Sequence, residues 1–193
     1  MKVLFIGGTG IISSACSELA LKKGIELYHF NRGISVKKRP IHGVKEITGN
    51  IRDFTQASQL LKNHQFDAVV DWVAFVPEHI ESDIKLFKEK TKQFIFISSA
   101  SIYQTPPTSL PVTELTPLEN PVWQYSRDKI ACEDTLRKAW LKESFPYTIV
   151  RPSHTYDKTL LPIEGGFTVL NRMIQGKPVV VHGDGTSIWT LTH

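Results

Sequence analysis

"MKVLFIGGTGIISS", residues 1–14, decides how this chain is read. Lys2 to Ile6 is apolar beyond its first residue, as in a strand covered on both faces. It runs directly into Gly7, Gly8 and Gly10. Ile11 to Lys22 then places Ile11, Ala15, Leu19 and Leu21 near helical spacing, with Lys22 and Lys23 before a stop at Gly24. A strand, a glycine-rich turn and a helix form a phosphate cradle. The first glycine permits the turn, the second lets backbone approach a pyrophosphate, and the third allows tight helix-on-strand packing, with the anion at the helix amino terminus. Both overlapping glycine spacings end at position 13, which is Ser13. The expectation is a slightly displaced first helix, a hydroxyl free to donate to phosphate, and a Ser13→Gly variant that keeps or tightens cofactor affinity. The loop alone suits a tight βα turn as well as a cofactor. Its place at the carboxyl end of the first strand, where doubly wound sheets bind ligands, favours the cofactor.

Outward from the loop, 193 residues with 41% hydrophobic and 22% charged content describe an ordinary globular chain. The first apolar run is too short for a signal peptide or a spanning helix, so the reading is a cytoplasmic protein without membrane contact. Cys16 and Cys132 lack paired or metal-like spacing and read as packed, reduced thiols. The net charge of +4 is modest, but Lys37, Lys38 and Arg39 cluster after the second strand. A solvated loop is one reading; an anionic ligand or nucleic acid is the other.

Strand-like and helix-like runs alternate, the mark of an α/β fold with a doubly wound parallel sheet. Strands are expected at Ile25 to Asn31, Val44 to Thr48, within "FDAVVDWVAF", at "QFIFISS" and at Tyr147 to Val150. Asp53 caps a short helix, Pro77 opens another reaching about Lys88, and a long helix runs from about Trp123 to Trp140. Gln104 to Pro121 holds five prolines and reads as irregular. Residues 1–152 form the expected dinucleotide-binding domain, and 153–193 the beginning of a smaller C-terminal substrate-binding lobe. That lobe reads as a loop, a helix near Phe167 to Gln175, and a hairpin in "PVVVHGDGTSIWTLTH" turning at Gly183, Asp184 and Gly185. The chain stops within strand-like alternation and reads as truncated.

An acidic residue about 20 residues past the loop would bind adenosine ribose hydroxyls. The second strand instead ends "HFNRG". Arg32 suits a 2′-phosphate and favours NADP over NAD, while a solvent-facing arginine is the alternative; Asn31 still hydrogen-bonds ribose. Further on, "YSRDK" sets Tyr125 and Lys129 four residues apart on the long helix, so both project from one face. "FISSASIY" puts Ser98, Ser99 and Ser101 at the end of the fifth strand, at the expected ligand edge.

Together these motifs resemble the short-chain dehydrogenase/reductase superfamily, and more closely its extended branch, the NAD(P)-dependent epimerase/dehydratase family. "FIGGTG", "GNIRD", "SSASIY", "YSRDK", "RPSHTYD" and "GDGTSIW" carry the resemblance along nearly the whole chain. It implies a Rossmann-type fold, an NAD(P) cofactor leaning to NADP through Arg32, a nucleotide-sugar substrate and a homodimer. By motif position Ser99 hydrogen-bonds substrate, Tyr125 is the acid/base, and Lys129 grips nicotinamide ribose and lowers the tyrosine pKa. A phenol with pKa about 10 is a poor base at neutral pH, and a neighbouring ammonium favours phenolate. Gly7, Gly10, Ile11 and Ile12 are the cofactor-binding loop residues, and Asn50 and Ile51 match the adenine-contacting pair. Ala74 matches the small residue beside the cofactor, and His154 lies where family members contact substrate, an exposed loop histidine being its plainer reading. Ala100 and Ser101 replace the Asp-Glu pair usual in dehydratases, which disfavours sugar dehydration; with Ser13 and Gln104 they mark an atypical member. No metal is assigned. The alternatives are a cofactor-sensing or RNA-binding protein on the same fold and a reductase of a small carbonyl compound.

Overall fold

The computed structural model describes residues 1–34, 39–186 and 188–193. It comprises two compact units, Met1–Arg151 and Pro152–His193.

In the first unit the chain runs β1 (Lys2–Ile6), α1 (Ile11–Lys22), β2 (Glu26–Asn31), β3 (Lys45–Thr48), α2 (Phe54–Leu60), β4 (Ala68–Asp71), α3 (Pro77–Phe87), β5 (Phe94–Ile97), α4 (Gln124–Glu143) and β6 (Tyr147–Val150). All six strands are parallel, in the order β3-β2-β1-β4-β5-β6. This is the Rossmann-type α/β sheet that the alternation of the sequence implies. The strand order reverses between β1 and β4, and ligands of such sheets bind outside the carboxyl ends at that point.

The two-residue alternation of the strands sorts the core into two layers. Leu4, Ile6, Phe30, Val69, Phe94 and Phe96 meet Ala57, Ile80, Ile84, Phe87, Cys132 and Leu136 from α2, α3 and α4. Val3, Phe5, Leu27 and Val70 face the other way, against Ala20 and Cys16 of α1. That helix turns Ser13, Ser17 and Ala20 inward, small residues that allow it close to the sheet.

Local signals set the helix ends. The Asp53 carboxylate accepts from Gln56 N–H at 3.0 Å to open α2, and Pro77 fills the first turn of α3, where its missing N–H costs nothing. Gly24, with φ of +72°, follows the end of α1. Buried ion pairs then fasten elements together. Arg52, in the turn after β3, donates to Asp71 at the end of β4 (2.9 Å) and to Asp83 of α3 (3.0 Å). Burial and the neighbouring Asp71 raise Asp83 well above the ordinary carboxylate range, so removing Arg52 would leave two enclosed acids without their cation. Arg151 grips Glu133 of α4 in bidentate fashion and donates to the Tyr103 phenol at 3.0 Å.

Some boundaries differ from those expected. α4 continues three residues past Trp140 and stops where Ser144 turns left-handed, at φ 53°. A single 3₁₀ turn, Ala100–Ile102, precedes the irregular proline-rich segment. In the second unit, α5 covers Gly166–Ile174, and β7 (His154–Thr155) pairs in parallel with β8 (Leu191–Thr192). The expected hairpin is therefore corrected. Its turn forms, with Gly183 and Gly185 at positive φ and Asp184 accepting from Thr186 N–H. Among the described residues its arms do not pair: Val180 and Ile188 are 92% and 98% exposed, and the last strand residues join β7 instead. No helix among the described residues is long and apolar enough to cross a membrane. Lys37 and Lys38 lie outside the described residues; Arg39 reaches Ser14 Oγ at 3.4 Å beside the start of α1.

Candidate active site

The glycine loop is packed from beneath and open above. Gly7 has φ of +86°, and a Cβ there would lie 2.4 Å from Val73 Cγ1. At Gly8 a Cβ would lie 2.4 Å from the buried imidazole of His29, whose Nε2 is held by Ser17 Oγ at 2.8 Å. Gly10 differs. Only Ser13 Oγ, at 3.1 Å, stands near the place of its Cβ, so the outer side of the loop is free for a ligand. The first-turn N–H groups of Ile11 and Ile12 have no partner inside the helix and offer donors and the positive end of the helix dipole to an anion.

Ser13 is not as the sequence led us to expect. It is buried, its hydroxyl accepts from Gly10 N–H at 2.7 Å, and it donates to the Gly7 carbonyl at 2.9 Å. Both functions of the hydroxyl are used within the loop, so it has no proton left for a phosphate. The residue in the third glycine's place closes the turn from inside.

His29 is a part of the site that motif reading passed over. It lies on the inward face of β2, two residues past Leu27, and stacks on Phe5 with ring centroids 6.1 Å apart. Burial pulls its pKa down to about 4, so the ring is neutral at ordinary pH. The alternation of β2 already points His29 to the core, which is the signal that could have found it.

At the end of β2, where the sequence led us to expect adenosine contacts, Asn31 donates to Glu46 of β3 at 3.2 Å. Arg32 follows, exposed. Asn50 accepts from Arg52 N–H at 3.1 Å in a tight side-chain turn. Ile51 is buried in the core beside Phe30, so it can offer a ligand only its backbone.

At the other end, three expected residues come together. Lys129 of α4, 2% exposed, donates to the carbonyls of Ala74 (2.6 Å) and Ile97 (2.8 Å), bridging the carboxyl edges of β4 and β5. Its Nζ lies 5.7 Å from the centre of the Tyr125 ring, one turn earlier on the same helix face. Burial brings Lys129 down to about 8, within reach of neutral pH. Tyr125 is shifted the other way. Burial raises its phenol, the neighbouring Ser99 hydroxyl lowers it, and the latter effect is the smaller. The ammonium of Lys129 alone therefore does not bring about the depression that the sequence suggested.

Phe75 and Trp123, both about half exposed, flank the Tyr125 ring at 6.5 and 4.8 Å. Trp72 packs edge-on against Phe5, as a core residue. Ser98 Oγ, at the carboxyl end of β5, is buried without a partner among the described residues. His154 belongs to the second unit, where it meets Trp189 edge-on at 5.3 Å.

These residues fit a dinucleotide: a cradle open at Gly10, free helix donors, a pinned lysine and a phenol beside it. The sequence matches the NAD dependent epimerase/dehydratase family over residues 3–193. The chain belongs to this family. Among its relatives, UDP-glucose 4-epimerase of Lactobacillus helveticus is 29% identical over 169 residues, covering 78% of this chain and 51% of that protein. The chloroplast stem-loop binding protein of 41 kDa b from Arabidopsis thaliana is 27% identical over 207 residues, covering 100% of this chain and 52% of its own. The chain thus spans about half the length of these curated relatives. UDP-glucuronic acid 4-epimerase of Bacillus cereus, solved with UDP-glucuronic acid and NAD, superimposes with a TM-score of 0.77 at 22% identity, over 100% of this chain and 69% of that one. That likeness shows the shared fold.

Proposed function

We propose that this family member binds NAD(P) at the Gly7–Ser13 loop and carries out an epimerase or oxidoreductase reaction on a nucleotide sugar. The observation that supports this reading most directly is the pinning of Lys129 between the β4 and β5 edges, with the Tyr125 ring 5.7 Å away on the same helix face. Tyr125 takes the proton from a substrate hydroxyl. Ser99 donates to the substrate oxygen that carries the developing charge, and Lys129, held by two carbonyls, keeps its remaining proton for the ribose. The bound nicotinamide supplies the hydride acceptor and donor. Gly7, Gly10, Ile11 and Ile12 hold the pyrophosphate, Ala74 leaves room beside the nicotinamide, and Asn31, Arg32, Asn50 and the backbone of Ile51 serve the adenosine. Residues 1–152 form the cofactor domain, and 153–193 open the substrate lobe, with His154 as a substrate contact.

For the 2′ position the site holds opposing charges. Arg32 favours a phosphate, while Glu46, bonded to Asn31, opposes one. Calorimetric titration with NADH and NADPH measures the balance. Turnover of UDP-, GDP- or dTDP-sugars then tests the reaction. Absence of binding by both dinucleotides would sink the proposal, and turnover of simple aldehydes alone would replace the nucleotide sugar with a small carbonyl substrate.

A second reading rests on similarity, over the whole chain, to a protein named for stem-loop binding. It requires stem-loop RNA binding that weakens steeply with salt and survives Tyr125→Phe.

A further inference from the structure

Two fully buried acids share one arginine, and the bonds around them lead toward both ends of the cofactor site. Asp71 is the last residue of β4, where the strand order reverses, and Asp83 lies on α3; both are fully buried. Arg52 Nη2 donates to Asp71 Oδ2 at 2.9 Å, and its Nη1 donates to both oxygens of Asp83, at 3.0 and 3.3 Å. A guanidinium is a rigid planar fork, so it fixes both acids relative to the turn that carries it. On that turn Arg52 N–H donates to Asn50 Oδ1 at 3.1 Å, which sets the amide beside Ile51. The other oxygen of Asp71, Oδ1, accepts from Val73 N–H at 2.6 Å and shapes the start of residues 71–74. Val73 lies against the glycine loop, its Cγ1 2.4 Å from where a Cβ on Gly7 would be, and the Ala74 carbonyl receives Lys129 at 2.6 Å.

We propose that Arg52 is a positioning residue that couples the adenosine end of the cofactor site to the nicotinamide end through Asp71. The inference rests on the reading of Asn50 and Ile51 as adenosine contacts and of Lys129 as the nicotinamide-ribose contact, and adds Arg52 and Asp71 to it. These two side chains act on each other and on the backbone that meets the ligand. Asp83 holds the guanidinium from the α3 side, which leaves Nη2 aimed at Asp71. The two bonds of Asp71 go to different oxygens, so a shift of Arg52 turns the carboxylate and moves Val73 with it. Bonds to ionised groups are the stronger ones, and the burial of Asp71 keeps water from competing for them.

The test reads each end while the other is altered, by amide hydrogen exchange in the ligand-free protein and by calorimetric titration with AMP and with nicotinamide mononucleotide. Arg52→Gln should speed exchange at Val73 N–H and weaken nicotinamide mononucleotide, each by about tenfold, the scale of one bond to a charged group. Exchange at Val69 N–H, bonded to the Gln93 carbonyl within the sheet, should stay as it is; a merely structural loss would speed both alike. Asp71→Asn puts a nitrogen in place of one of two accepting oxygens, and should speed exchange at Arg52 N–H and weaken AMP by a similar factor. It leaves Arg52 paired with Asp83, so it carries the test if thermal unfolding shows that Arg52→Gln does not fold. A folded variant that leaves exchange or affinity at the far end unchanged overturns the proposal. If the wild type binds neither mononucleotide, altered exchange at the far end keeps the coupling and removes the dinucleotide reading; binding of both with far-end exchange unmoved does the reverse.

Discussion

The Ser13 hydroxyl donates to the Gly7 carbonyl at 2.9 Å while accepting from Gly10 N–H at 2.7 Å, so one side chain ties together both ends of the glycine turn. This reverses the expected effect of restoring the missing glycine. Ser13→Gly removes both bonds and adds backbone freedom at the start of α1. We expect a loss of about 1–2 kcal/mol in stability, from two buried hydrogen bonds, and weaker NADH binding, read by chemical denaturation and calorimetry. Unchanged or tighter binding would show that the loop keeps its shape without the hydroxyl.

Gly8 and His29 make a second pair whose coupling can be measured. A Cβ at Gly8 would meet the imidazole at 2.4 Å, and the ring cannot retreat, being buried against Phe5 and bonded to Ser17. Gly8→Ala should therefore cost roughly 2 kcal/mol or more through overpacking. In a His29→Ala background most of that cost should vanish, since the space is then vacant. A double-mutant cycle on urea midpoints reads the coupling; additive costs would mean that Gly8 is needed for its backbone alone.

The sheet was legible because each strand advertises itself locally: β1 and β6 have the limits that their apolar runs imply, and Pro77, Asp53 and Gly24 punctuate the helices where expected. The Tyr125–Lys129 pairing was legible because helix spacing ties the two residues to one face of α4. What escaped depends on contacts between distant residues. Nothing local joins Asn120 to Ser101, or Arg52 to Asp71 and Asp83, and these appear only when the loops are folded over the sheet. Ser13 was misjudged for a related reason: a hydroxyl at a cradle looks available until its partners within the turn are known. The hairpin failed because alternation in Val180 and Ile188 signals a strand only where a face is buried, and there none is.

Lys129 makes stability depend on pH in a predictable direction. Its folded pKa, about 8, lies below the unfolded value near 10.5, so between these limits the unfolded chain holds more protons and stability rises with pH. The penalty for burying the ammonium is fully present below pH 8 and is relieved as the pH climbs. Relative to Lys129→Met, the wild type should gain about 2 kcal/mol between pH 7 and about pH 9.5. Urea unfolding of both proteins at the two pH values checks this. A constant difference would mean that the carbonyls of Ala74 and Ile97 hold the lysine protonated throughout.

Tyr125→Phe separates chemistry from binding. The ring lies among Phe75 and Trp123, contacts that phenylalanine keeps, and the pinning of Lys129 uses carbonyls and not the phenol. NADH affinity should stay within about twofold. Turnover should fall by roughly 10²–10⁴, the usual loss when a positioned proton acceptor is removed. In the wild type the rate should climb with pH, because burial raises the phenol and only the phenolate accepts a proton. The variant should lose that rising limb as well as the rate, so rate against pH for both proteins is the measurement. A limb that persists in Tyr125→Phe would assign it to another group, with Lys129, at about 8, first in line.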